Sequence, residues 1–254
     1  MKTIAVSVQK GGTGKTTTVY NVAAELAATG RRVLLVDIDP QATLTCFTGI
    51  EVEPGNDIAA VFGDAKPGSK TILDIVQPFS EGIDIAPGSI DLAYTELTIT
   101  GRLGRESILK KALTAAADPY DVCIIDTPPS LGLLTINGLA AADSVLIPIQ
   151  PTSADIRGLQ LFLQTLQDMK EINPKLTVMG ILMTMYDKRL QLHRQAADEL
   201  QAAGLPVLSC SVTRSVRIAE SGGESVPLRQ YDPRNQNNDT YKAIAEMIIQ
   251  TIQE

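Results

Sequence analysis

The ten residues from Gln9 to Thr18, QKGGTGKTTT, decide how the whole chain is read. Ahead of them Ile4-Ala5-Val6-Ser7-Val8 reads as a strand, and behind them Val19 to Ala27 carries apolar residues at helical spacing. Strand, glycine loop and helix is the setting that a phosphate-binding loop needs. Gly11, Gly12 and Gly14 carry no Cβ, so backbone N–H groups can turn inward there. Those amides and the positive end of the following helix make a cradle for a di- or triphosphate, with Thr13 and Thr17 inside the same loop. Lys15 reaches the outer phosphates, and the Thr16 hydroxyl suits a Mg²⁺ ion. The spacing G-x-x-x-x-G-K-[ST] is not met, because its first glycine would fall on Gln9. Instead Lys10 places a second cation where negative charge would develop on the phosphates.

Two further stretches end in acids. Val33 to Gln41, VLLVDIDPQ, is an almost continuous aliphatic run, the pattern of a parallel strand buried on both faces. In open α/β sheets ligands gather at the carboxyl ends of strands, which puts Asp37 and Asp39 near the phosphates unless one of them only caps the next helix, Ala42 to Phe47. Tyr120 to Pro129, YDVCIIDTPP, repeats the pattern. Its Asp126 is placed to hold Mg²⁺ opposite Thr16, and the proline pair stops the strand. Thr16 and Asp126, with Asp39 near them, are the expected metal-site residues, and Lys10 and Lys15 the expected catalytic cations.

The strings KGGTGKTT, VDIDPQ and IIDTPPS together resemble the ParA/MinD superfamily of deviant Walker A ATPases, most closely its short ParA/Soj-type DNA-partitioning members. The resemblance recurs at intervals over nearly the whole chain. It implies that Lys10 reaches the nucleotide of a second subunit, that Asp39 helps position the attacking water, and that the segment after Asp126 senses the γ-phosphate. It implies ATP as the nucleotide and adenine contacts from Thr184 and Met185. It also implies an ATP-dependent homodimer, non-specific DNA binding through Arg189, Arg214 and Arg217, an adaptor of the ParB kind, and a cytoplasmic, nucleoid-associated location without a membrane. Two departures stand out. Residues 151–158 look plasmid-type, and Thr213 occupies a position where relatives usually carry proline.

The remainder of the chain sets bounds. Its 254 residues suffice for a single ATPase domain over 1–254. With a net charge of −7, DNA binding would need a local basic patch. The three cysteines form no CxxC, which argues against an iron–sulfur carrier. No signal peptide is visible, no DNA-reading module precedes the loop, and no apolar run approaches the ~18 residues that span a bilayer. The C-terminal segment has no basic face, which disfavours a MinD-like membrane helix. A metabolic P-loop enzyme that phosphorylates or ligates a small substrate remains an alternative.

Aliphatic runs alternate with helical patterns, which predicts an α/β fold with a doubly wound, mostly parallel sheet and helices on both faces. Further strands are expected at 72–76, 83–87, 144–149, 178–184 and 205–212. Further helices are expected at 58–62, 92–97, 106–117, 137–142, 159–172 and 190–203, with a last helix, 240–252, capped by Asp239. Residues 49–70 and 222–240 read as loop-rich. Arg102, Arg105 and His193 read as surface residues, and the stripe Leu159, Phe162, Leu163, Leu166 and Met169 as packing.

Overall fold

The computed structural model describes residues 1–63 and 70–253. Eight strands form one sheet: β1 Lys2–Val6, β2 Val33–Asp37, β3 Gln77–Ser80, β4 Ile83–Ala86, β5 Val122–Asp126, β6 Ser144–Ile149, β7 Thr177–Met183 and β8 Val207–Ser211. Their order is β3-β4-β2-β5-β1-β6-β7-β8, and every neighbouring pair is parallel except β3 with β4. The helices are α1 Lys15–Ala28, α2 Thr43–Thr48, α3 Ile58–Phe62, α4 Ile72–Ile75, α5 Asp91–Thr98, α6 Ile108–Ala115, α7 Leu133–Ala141, α8 Ser153–Asp168, α9 Gln191–Ala202, α10 Val216–Gly223, α11 Leu228–Tyr231 and α12 Asn237–Gln253. The doubly wound α/β fold expected from the alternating pattern is present.

Strands β2, β5 and β6 are buried at every position because both sheet faces are covered. Alternate residues go to opposite sides, as the period of two requires. Val33 and Leu35 pack in a cluster with Tyr20, Leu26, Ile244 and Ile248, whereas Leu34 and Val36 pack with Ile58, Phe62, Leu92 and Leu109. A third cluster gathers Val145 and Ile147 with Leu159 and Phe162, so the α8 stripe is core packing. In α12, Tyr241, Ile244, Ala245 and Ile248 follow helical spacing and lie buried in the cluster shared with α1. No helix among the described residues is long and apolar enough to cross a membrane.

Several expectations need correction. Residues 72–75 form α4 rather than a strand. Thr71 donates its N–H (2.8 Å) and its hydroxyl (2.7 Å) to Asp74 Oδ2, a cap that favours a helical turn, and Ile72 and Ile75 bury one face of it. A short apolar run carries no period long enough to reveal this. β3 contains Pro78, which an edge strand tolerates. The loop-rich stretch 222–240 contains α11, and α12 starts at Asn237, so Asp239 lies in its first turn and not at its cap. Arg102 is not a free surface residue, because its Nη1 donates to the Phe62 (3.0 Å) and Gly63 (2.7 Å) carbonyls. Pro67 and Gly68 lie outside the described residues.

The packing of α12 on α1 supports the helix that carries Lys15 and Thr16. Ile244→Ala is expected to destabilise the protein by about 2–5 kcal/mol, the usual range for truncating a fully buried aliphatic chain. Chemical denaturation followed by circular dichroism measures it, and a change under about 0.5 kcal/mol would contradict this role for α12.

Candidate nucleotide-binding site

β1 lies in the centre of the sheet between β5 and β6, and the glycine loop leaves its carboxyl end. That is where ligands collect in open α/β sheets. Gly12 (φ +72°) and Gly14 (φ +86°) adopt left-handed backbone, and Gly14 is the residue from which α1 starts. A side chain at either position would be strained. Lys15 is buried at the first turn of α1, and its Nζ donates to the Lys10 carbonyl at 3.0 Å. Burial pulls its pKa below the usual value, and the nearby charges of Asp126 and Asp39 partly restore it. Thr16 Oγ1 donates to Asp126 Oδ2 at 2.6 Å.

Asp126 is fully buried, and its Oδ1 has no hydrogen-bond partner. Burial and the charge of Asp37 push its carboxyl well above the normal range, against the Thr16 hydrogen bond and Lys15. An orphaned carboxylate oxygen beside a threonine hydroxyl fits a divalent cation. Asp39 is half-buried, and its Oδ1 accepts from Gln41 N–H at 2.9 Å.

Asp37 resolves the ambiguity at the end of β2. It is completely buried and accepts from Thr45 N–H (2.9 Å), Thr45 Oγ1 (2.8 Å) and Asp39 N–H (3.1 Å). It therefore holds α2 and the Asp39 loop instead of facing the phosphate loop.

Other contacts clasp the loop. Lys10 Nζ forms an ion pair with Asp155 Oδ2 at 2.5 Å, and Thr152 Oγ1 donates to the same oxygen. Gln150 Nε2 donates to the Gly12 carbonyl at 2.8 Å. The Thr184 hydroxyl lies between the Thr13 (2.8 Å) and Ile149 (3.1 Å) carbonyls, so it holds the loop down. Met185, at φ +49° and 38% exposed, stands at the rim of a largely apolar cavity of about 530 Å³. Gly14, Thr17, Phe47 and Ile218 also line that cavity, which has the size and character suited to a base. Sequence reasoning missed Thr45, Gln150 and Asp155 as partners of the site, because each meets it only through the fold.

The arginines divide. Arg189 and Arg214 line one cavity of about 580 Å³ with Tyr186 and Asn237, whereas Arg217 sits on α10. Arg189 grips Asp187 with two nitrogens, Nε to Oδ1 at 2.9 Å and Nη2 to Oδ2 at 2.7 Å, and holds that carboxyl well below its usual pKa. Arg217 pairs with Glu220 at 2.9 Å and lies over the Tyr231 ring. At the departure noted above, Thr213 N–H donates to Asn237 Oδ1 at 2.7 Å, a bond that a proline could not make. His193 Nδ1 accepts from Asp187 N–H at 3.0 Å.

A central strand, a glycine loop with a buried lysine, and a threonine hydroxyl bonded to a buried strand-end aspartate define a P-loop nucleotide-binding protein of the α/β class. The family model described as an AAA domain matches residues 1–178. Over 250 residues the chain is 40% identical to the sporulation initiation inhibitor protein Soj of Bacillus subtilis, covering 97% of this chain and 98% of that one. It is 37% identical to the chromosome partitioning protein ParA of Myxococcus xanthus, covering 97% and 87%. A solved structure described as cobyrinic acid a,c-diamide synthase from Mycobacterium smegmatis, with bound ATP analog and magnesium, is 36% identical with a TM-score of 0.85, covering 97% and 93%. The chain belongs to the ParA/Soj family of partitioning ATPases.

Burial raises the Asp37 pKa from 3.8 to about 6, against its bonds to Thr45 and Asp39. The folded state thus keeps a proton that the unfolded chain releases. The resulting stabilisation is full below about pH 4 and is lost as pH rises through 6. Asp37→Asn removes this term. Thermal unfolding from pH 5 to 7 is expected to show the melting temperature of the variant gaining on that of the wild type as pH rises, and parallel pH curves would refute it.

Proposed function

We propose that this chain is a Mg²⁺-dependent ATP hydrolase. In this reading two ATP-bound copies form a sandwich dimer that binds DNA without sequence preference and partitions or positions a plasmid, a chromosome or another cargo. The observation that carries the proposal is the cluster of buried Lys15, half-buried Thr16 and buried Asp126 at the end of β1 and β5, with a second lysine, Lys10, on the same loop. A magnesium ion arriving with the nucleotide would be held by Thr16 and Asp126, with Asp39 beside them, and would neutralise charge on the phosphate oxygens. The inward amides of residues 11–16 bind phosphate oxygens, and Lys15 pairs with the outer phosphates. Asp39 orients water for in-line attack, for which its loop must swing the carboxylate from the Gln41 amide toward the phosphate. Lys10 acts on the second subunit's nucleotide once it leaves Asp155, and adenine occupies the apolar cavity beside Met185. The location would be cytoplasmic, and nucleoid-associated when ATP is bound.

Support for the DNA and adaptor parts comes from the partitioning relatives and from the placement of Arg189 and Arg214 around one cavity. Both Arg189 and Arg217 carry acidic partners, so a single copy would bind DNA weakly. Dimerisation would double the patch and supply avidity. Contacts to phosphate carry no base information and weaken with salt through counterion release. A ParB-like adaptor would stimulate turnover.

The diamide synthase structure keeps a second reading open, in which the P-loop serves amide formation on a small acid. That chemistry needs an amine donor. ATP turnover stimulated by DNA with no small-molecule acceptor favours partitioning, whereas turnover that appears only with an acid acceptor and ammonia favours the other reading.

Two outcomes test the proposal. Lys15→Ala is expected to lose ATP binding by at least 10-fold, because the outer phosphates lose their buried cation. Near-normal affinity in a nucleotide titration would remove Lys15 from this role. Asp39→Ala is expected to bind ATP, turn it over slowly and accumulate as a dimer on sizing. That trapped dimer should bind unrelated DNA sequences equally, lose binding steeply across a salt series, and lose it further with Arg189→Glu and Arg217→Glu together. Binding that ignores both arginines would refute the proposed DNA surface.

A further inference from the structure

The β4–α5 turn and α5 together are hydrogen-bonded to α2, which follows the Asp39 loop, and to α7, which follows the Asp126 loop. In the turn between β4 and α5, Gly88 N–H donates to Thr45 Oγ1 at 2.8 Å. The Thr45 hydroxyl and N–H both donate to Asp37 Oδ2, at 2.8 and 2.9 Å, and Asp37 Oδ1 accepts from Asp39 N–H at 3.1 Å. Toward the other end of α5, Glu96 Oε1 accepts from Leu134 N–H at 3.1 Å. Leu134 lies in the first turn of α7, the helix that follows the Asp126 loop.

Both junctions are close-packed. A Cβ added at Gly88 would lie 2.9 Å from Asp37 Cγ, and one added at Gly132 would lie 2.9 Å from Glu96 Cδ. The α7 helix starts from Gly132, with no side-chain cap of its own and no acid in its first turn. Glu96 therefore supplies from α5 the carboxylate that a helix N-terminus favours. At the other junction, Ala42 between Asp39 and α2 has φ +50°. A non-glycine residue keeps that backbone only when its surroundings hold it there.

At their roots the two loops are joined by Ile38 N–H donating to the Asp126 carbonyl at 3.1 Å. A further connection between the two segments runs through the β4–α5 turn and α5, by way of Gly88 and Glu96. We propose that α5 is a strut holding the Asp39 loop in register with the loop after Asp126, and that Thr45 and Glu96 are its positioning residues. This rests on the reading of Asp39 as the carboxylate that orients water. Thr45 and Glu96 act through Asp37, Asp39 and Leu134 and do not themselves meet the nucleotide. In-line attack is sensitive to misplacement on the scale of 1 Å, so freeing either loop lowers the rate without weakening nucleotide binding.

The test uses the full chain with Thr45→Val, Glu96→Ala and the double variant, beside Thr45→Ser and Glu96→Gln. Each single variant is expected to lower kcat on the order of 10-fold while affinity for a fluorescent ATP analogue changes less than about twofold. The double variant should fall no further than the slower single one, because a strut cut at one end no longer sets register. Thr45→Ser keeps the hydroxyl, and Glu96→Gln keeps the accepting oxygen, so both should recover most of the rate. In the nucleotide-free protein, amide exchange should quicken at Gly88 and Asp39 in Thr45→Val and at Leu134 in Glu96→Ala. Gly132→Ala, which drives Glu96 away from the other side, should reproduce Glu96→Ala, and Gly88→Ala, whose Cβ would crowd Asp37, stands in if Thr45→Val does not fold. Unchanged kcat, a parallel loss of nucleotide affinity, a multiplicative fall in the double variant, or unchanged exchange would each overturn the strut. A wild-type protein without ATP turnover would overturn the hydrolase reading instead, and amide exchange would still decide the structural tie.

Discussion

The hydrogen bond from Thr16 to Asp126 is the contact on which the site depends. It joins the first turn of α1 to the carboxyl end of β5, next to a lysine that is itself buried. Asp37 and Asp126 lie opposite each other on neighbouring strands, and neither reaches solvent. Burying two carboxylates side by side is costly unless each is paired. Asp37 is satisfied by Thr45 and the Asp39 amide. Asp126 has one oxygen on Thr16 and the other without a partner. Asp126 Oδ1 is therefore the acceptor that a cation at Thr16 would use.

The rest of the architecture keeps that acceptor in place. The central position of β1 brings the glycine loop between strands that end in Asp126 on one side and begin the Gln150–Asp155 clasp on the other. Helix α1 is anchored through its buried face to α12, and the loop itself is pinned from three directions by Gln150, Asp155 and Thr184. The backbone of the glycine loop is thus held in place by Gln150 and Thr184 before any phosphate is met.

Charge on the outer surface is arranged differently. Arg189 and Arg217 are exposed but already paired with acids, which suits a chain whose net charge is −7. Exposed pairs of this kind are worth little to stability and are readily exchanged for other partners in water. The Lys10–Asp155 pair is harder to exchange, because the lysine is 40% exposed but the carboxylate left behind is 1% exposed.

Legible in the residues alone were the strand–loop–helix at the start, the buried parallel strands and the grouping of Lys15, Thr16 and Asp126. These are local facts: glycine where left-handed backbone is needed, aliphatic runs where both faces are covered, and acids where strands end. Tertiary structure decided everything that needs two distant segments to meet. Asp37 and Asp39 look alike in VDIDPQ, yet one is consumed by Thr45 and the other stays half-exposed. Thr184 reads as a base contact and does line the apolar cavity, while its hydroxyl lies between the carbonyls of Thr13 in the glycine loop and Ile149 at the end of β6. Residues 72–75 became helical because Thr71 and Asp74 cap them, a preference that four residues cannot display as a period. Lys10 met Asp155, and Glu96 met Leu134, across separations of 145 and 38 residues. Sequence pattern reports the local preference of each segment; the partners of a buried polar group depend on which segments the sheet order brings side by side.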